Sequence, residues 1–229
     1  MVKLESFARI TPFAIYMVFV GIEGGLRYFN REGIFALSDQ SIYLLYPLKV
    51  LVVTCLLIFL WGKYSEISLR DFYNVKNNLL SISVGLVVFV LWVKMDWTLP
   101  GQDAPTGFDP RVYTNELTRH MIVLSRIAGA ALVVPIMEEI FWRSFLLRYI
   151  INSDFSKIPI GQFTWVSFLI CAALFGLEHH FIIAGVMAGM VYTLLLYQTK
   201  SIAQCILAHA VTNFTLGIYV LQTGRWYFW

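Results

Sequence analysis

Charge is scarce in this sequence: only 14% of its 229 residues are Asp, Glu, Lys or Arg, where a soluble domain carries about a quarter. Cysteine is scarcer still. Cys55, Cys171 and Cys205 sit singly inside apolar runs. An odd number with no CxxC pairing argues against a disulfide framework or a zinc cluster and leaves helix packing as their role. There is no HExxH, so the usual pairing of a zinc protease is missing. A net charge of +3 implies no nucleic-acid partner. No repeat, low-complexity tract or separate soluble domain interrupts the chain, which reads as one domain over 1–229.

What is abundant is apolar surface. With 59% hydrophobic residues and several runs near the ~20 residues that cross a bilayer, the chain reads as an all-α, polytopic transmembrane bundle of about seven to eight spans. The pattern predicts spans at Arg9–Tyr28, Ser41–Gly62, Leu79–Met95, Met121–Ile151, Phe163–His180, Phe181–Gln198 and Ser201–Gln222. The N-terminal run lacks a small-residue cleavage site and is read as a retained first span. The fourth run is longer than one crossing needs; Pro135 is expected to kink it, and an eighth span could hide in it. The fifth and sixth run together and are divided near "EHHF".

"KYSEISLRDFYNVKNN" has the amphipathic look of a membrane-surface helix, and "DWTLPGQDAPTGFDPRVYTNELTRH" that of a loop. With the N-terminus inside, the inner side collects Lys3, Arg9, Lys63, Arg70, Lys76, Arg148, Lys157 and Lys200. The outer side collects Arg27, Arg31, Lys94, Arg111, Arg119 and Arg225. The excess favours that orientation. A multi-pass protein of the bacterial plasma membrane is the expected setting.

Ionisable residues at membrane depth are costly and are functional candidates by default. In "VVPIMEEIFWRSFLL", Glu139 and Arg143 are four apart and share a helical face, so they can pair. Glu138 is turned away by about 100° and has no evident partner, as suits a general base. In "FGLEHHF", Phe175 and His179 share a face, while Glu178, His179 and His180 fan out around the helix. In "HAVTN", His209 and Asn213 share a face and offer an imidazole and an amide. Each set taken alone is also explained by helix-to-helix hydrogen bonding. Counted from the inner ends, Glu138 lies about 20 Å deep, His179 about 24 Å and His209 about 12 Å. A carboxylate, two imidazoles and an amide on three spans can therefore converge into a set able to activate water and stabilise an oxyanion.

These motifs, EExxxR, FxxxH and HxxxN in that order, resemble those of the CAAX protease and bacteriocin-processing family of intramembrane proteases (the Abi or Rce1-type family). The likeness covers roughly 133–217 of a motif-bearing core at about 121–222. The tract "MDWTLPGQDAPTGFDP" is similar to that of CAAX-protease-related proteins found with bacterial exosortase sorting systems, for which a prenylated substrate is not implied. The family likeness implies that Glu138, with His179, activates water. His209 and Asn213 would then donate hydrogen bonds to the oxyanion, and Glu139 and Arg143 would hold the base. It implies a membrane-associated protein or peptide substrate, CAAX-like or of a C-terminal sorting type, and no metal. Phe175 belongs to the second motif, and His180 has no role in the family pattern.

Two other readings stay open. Glu138, His179 and His209 could form a His₂Glu zinc site with one position for water. The chain could also be a non-catalytic scaffold or immunity protein of the same fold. A proton-relaying transporter would be expected to show paired, symmetric halves, which the sequence lacks.

Overall fold

The structure, a computed structural model, describes residues 4–34, 36–102 and 107–229. Lys3 of the charge count and residues 103–106 of the polar tract lie outside them. The described residues form helices joined by turns and short 3₁₀ segments, with no strand among them. Six helices are long and apolar enough to cross a membrane: α1 Leu4–Arg31, α2 Asp39–Lys63, α3 Val75–Lys94, α4 Glu116–Ile151, α6 Ile182–Thr199 and α7 Ile202–Thr223. Between α4 and α6 lies the shorter α5, Trp165–Leu177. Side chains such as Val18, Leu51, Ile58, Phe59, Val87 and Leu194 are exposed on the bundle's outside, as lipid-facing residues would be.

Polar residues start the helices. Ser38, Asn74, Asn115, Thr164 and Ser201 each accept a backbone N–H three residues on with their side-chain oxygen, satisfying one of the donors that a helix start leaves unpaired. Left-handed Lys200 and Gly224 end α6 and α7.

Three expectations change. The fourth run is a single helix and hides no eighth span. Around Pro135 it is not α-helical throughout: residues Gly129–Val133 and Ile140–Leu146 are wound in π register. Second, "KYSEISLRDFYNVKNN" is not a surface helix but a turn, a 3₁₀ segment at Leu69–Tyr73 and the first residues of α3. Its polar groups are drawn into the bundle by the start of α7. Gln204 Nε2 donates to Asn78 Oδ1 at 2.8 Å and to the Asp71 carbonyl at 3.1 Å, and Ser201 donates to the Asp71 carboxylate. Third, α5 stops at Leu177, so Glu178, His179 and His180 occupy the turn into α6 rather than the body of a span.

Small residues set the close approaches behind the site. A Cβ on Gly85 of α3 would lie 2.4 Å from the Ala208 carbonyl of α7. One on Gly185 of α6 would lie 2.8 Å from the Gly176 Cα of α5. Such contacts let backbones approach closely, the main source of helix association in lipid. The tight α5–α6 hairpin is what forces the chain to reverse directly at His179 and His180.

Candidate active site

The π segment of α4 creates one half of the site. Val134 N–H reaches back five residues to the Gly129 carbonyl. Continuing that register, the Ala130 carbonyl would need an N–H from residue 135, which is proline and has none. Asn213 of α7 supplies it: its Nδ2 donates to the Ala130 carbonyl at 2.8 Å. A half-buried carbonyl is thereby satisfied, as the bilayer interior demands, and α4 is tied to α7 beside the carboxylates.

Glu138 and Glu139 follow within a turn and are both buried. Glu139 is fully enclosed and accepts Arg143 Nη1 at 3.2 Å and His209 Nδ1 at 2.9 Å. Arg143 also donates to the Gly189 carbonyl at 3.3 Å and stands over the Phe175 ring at 4.5 Å. His209 stacks on Tyr192 at 4.9 Å. The Tyr192 hydroxyl donates to Thr212, which donates to the Gly85 carbonyl. Glu139 therefore holds His209 and Arg143, whereas the family likeness implied that Glu139 and Arg143 hold Glu138. The reason is geometric: Glu139 Oε1 takes both donors, while Glu138, one residue earlier, is turned toward the cavity.

Glu138 points into a cavity of about 280 Å³ shared with Glu178, His179, His209, Asn213 and Tyr192. Its Oε2 is buried without a hydrogen-bond partner, and the nearest imidazole nitrogen of His209, Nε2, is 4.0 Å away. His179 Nδ1 lies 2.7 Å from the Phe175 carbonyl. A carbonyl only accepts, so that nitrogen carries the proton and Nε2 is bare. The Phe175 ring packs at 4.8 Å from the His179 ring and at 6.1 Å from that of His209. The turn at 178–181 thus brings His179 to the cavity that Glu138, His209 and Asn213 line from α4 and α7.

A second cavity of about 390 Å³ adjoins the first, and both are lined by Trp92, Arg126, Glu178, His179, Phe228 and Trp229. It extends to Glu23 and Arg27 near the end of α1 and to Gly107 and Phe108 of the polar tract. His180 lines this second cavity and not the first, so consecutive histidines serve different spaces.

The residue that sequence reasoning passed over is Glu178. Its Oε1 accepts Trp142 Nε1 at 3.0 Å, and one carboxylate oxygen each of Glu138 and Glu178 and a nitrogen of His179 all lie within 4.8 Å of one another. The signal was present, since a carboxylate at the end of an apolar run is a functional candidate. Treating 178–180 as straight helix spread the three side chains apart. The same grouping bears on the zinc alternative. The side chains able to approach one cation are Glu138, Glu178 and His179, and His209 is not in that set. His209 has its own anchor on Glu139.

No curated protein and no solved structure matches the chain. Residues 120–215, which carry all three motifs, are similar to the family model described as type II CAAX prenyl endopeptidase Rce1-like.

Proposed function

We propose that the protein is an intramembrane endopeptidase that hydrolyses a peptide bond of a membrane-associated substrate by water activated at Glu138. The observation that carries this reading is the carboxylate of Glu138, buried and without a partner on Oε2, in a cavity it shares with two imidazoles and an amide. In a dry site such a group has water or substrate as its remaining partner.

The roles follow from donors and acceptors. Glu138 takes a proton from the attacking water, and the bare Nε2 of His179 accepts that water's second hydrogen, fixing its direction. Asn213 has two amide hydrogens. One is engaged with the Ala130 carbonyl, and the other is left to meet the oxygen on which charge collects. His209 gives its Nδ1–H to Glu139, so its Nε2 donates to that oxygen only when the ring carries both protons. Loss of one such donor typically costs about 10²–10³ in rate.

The matched family is described by its action on CAAX prenyl proteins. The substrate class proposed here is the wider one, a membrane-associated segment with a CAAX-like or C-terminal sorting signal, in the bacterial plasma membrane. The test is cleavage of a peptide library by the purified native protein and by Glu138→Gln, with and without a chelator. Products that need Glu138 and survive chelation support the reading. Products that persist in Glu138→Gln contradict it, and products lost on chelation favour a metal site.

A further inference from the structure

Hydrolysis of an amide needs a proton in two places. One leaves the attacking water, and one must arrive at the departing nitrogen, because an amide anion does not leave. The proposed roles above supply only the first. His179 cannot readily provide the second, since its single proton lies on Nδ1 against the Phe175 carbonyl, 2.7 Å away. Arg143 is engaged with Glu139 and the Gly189 carbonyl. Asn213 and His209 face the carbonyl oxygen in the proposed arrangement.

Glu178 meets the need by position. It reaches the cavity from the α5–α6 turn, opposite Glu138 on α4, and carboxylate oxygens of the two lie within 4.8 Å of each other. Trp142 Nε1 donates to Glu178 Oε1 at 3.0 Å. That N–H fixes Oε1 as an acceptor, so a proton on this carboxyl belongs on Oε2. Glu138 Oε2 is buried and unpartnered: the residue is only 6% exposed, and no hydrogen-bond donor reaches that oxygen. Two carboxylates this close in a medium of low dielectric repel strongly when both are ionised, and the nearby Arg143 is shared with Glu139 and the Gly189 carbonyl. One proton between them removes the repulsion, as in carboxylate dyads that hydrolyse peptides elsewhere.

We propose that Glu178 is a second catalytic carboxylate, which holds a proton shared with Glu138 and delivers it to the leaving nitrogen. The proposal rests on the hydrolase reading above. As water's oxygen bonds to the carbonyl carbon, its proton goes to Glu138. As the C–N bond breaks, the proton of Glu178 goes to nitrogen, and the amine leaves with the electron pair of that bond. The proton on Glu138 then crosses to Glu178, and the pair is restored with nothing else consumed.

The experiment compares two substrates with one acyl sequence: a peptide amide, whose leaving group needs a proton, and an ester with a phenolate leaving group, which does not. Both rates are read on one preparation, so their ratio is independent of how much of the variant is folded. In Glu178→Gln the amide rate is expected to fall about 10²–10⁴-fold at unchanged KM, the usual contribution of a positioned acid, while the ester rate stays within about tenfold of native. Glu178→Asp, which keeps the acid, is expected to hold a ratio nearer the native one. An unchanged ratio in Glu178→Gln, whether both rates fall together or neither does, overturns the proposal and leaves Glu178 a positioning residue. Active native protein carrying one tightly held divalent ion per chain, with both rates lost on its removal, also overturns it, in favour of a metal on the same three side chains. Native protein that cleaves neither substrate contradicts the hydrolase reading itself, and the proposal falls with it.

Discussion

Glu139 Oε1 lies 2.9 Å from His209 Nδ1, while Glu138 Oε2 lies 4.0 Å from the other nitrogen of the same ring. Two consecutive carboxylates on α4 thus meet opposite edges of one imidazole from α7. Glu139 is engaged through Oε1, which takes both Arg143 and His209, and Glu138 faces the cavity; Oε2 of each is buried without a hydrogen-bond partner.

Glu139 should therefore matter through stability and through His209 together. Removing one partner of a buried ionic cluster typically costs about 3–5 kcal/mol, because the other is left uncompensated. Glu139→Gln is expected to lower the unfolding midpoint and to cut cleavage at least tenfold. Adding Arg143→Met, which removes the stranded cation, is expected to recover part of the stability and none of the activity. Thermal unfolding and cleavage rate, measured on the same samples, check both halves.

The Asn213 clamp makes a coupled expectation. Asn213→Ala leaves the Ala130 carbonyl without its donor, at a cost of about 1–3 kcal/mol, besides the loss of the proposed oxyanion donor. Pro135→Ala restores a backbone N–H in the next turn. In a double-mutant cycle it should offset part of the stability loss and leave the rate loss in place. Additive stability effects would mean that the π register and the clamp are independent.

Much of this site was legible, for definite reasons. Glu139 and Arg143 could be paired from spacing because both lie on one helix. The six long spans declare themselves through apolar length. The division at "EHHF" falls between α5 and α6, where the two histidines interrupt an apolar run. Other features depend on contacts distant in the chain. Nothing local tells that Trp142 donates to Glu178, or that Asp71 and Asn78 are claimed by Gln204. The π turns beside Pro135 have no residue pattern of their own, so the orphaned Ala130 carbonyl emerges only with the fold.

Away from the cavity, Glu66 joins α1 and α4. It accepts Arg9 Nε at 2.8 Å and Nη2 at 2.7 Å, and Ser144 donates to it. Burial alone would raise its pKa, but the hydrogen bonds from Arg9 and Ser144 outweigh it and hold the carboxyl below its ordinary 4.5. A carboxyl lowered in the fold stabilises fully above its unfolded value, and loses that contribution as pH falls from there through the lower folded value. Unfolding followed from pH 7 down to pH 3 should therefore show an acid-side loss in native protein that is smaller in Glu66→Gln, which starts less stable at pH 7. Equal slopes would show that Glu66 contributes nothing to the acid limb.

Helix packing gives a paired test. A Cβ at Gly85 would meet the Ala208 carbonyl at 2.4 Å, whereas one at Gly21 of α1 meets nothing within 4 Å. Gly85→Ala is expected to push α3 from α7 and destabilise the fold by about 1–3 kcal/mol. Gly21→Ala should be neutral or slightly stabilising, because alanine favours helix. Unfolding of the two variants side by side checks whether α3 and α7 approach as described.

The central claim, that the buried Glu138 carboxylate hydrolyses peptide bonds within the membrane, is tested most directly by comparing protein termini in membranes of cells carrying the native protein with those carrying Glu138→Gln at equal, folded levels. New termini present only with the native residue are the expected result, and they would also name the substrates. Identical sets of termini would contradict the account and leave the bundle a scaffold.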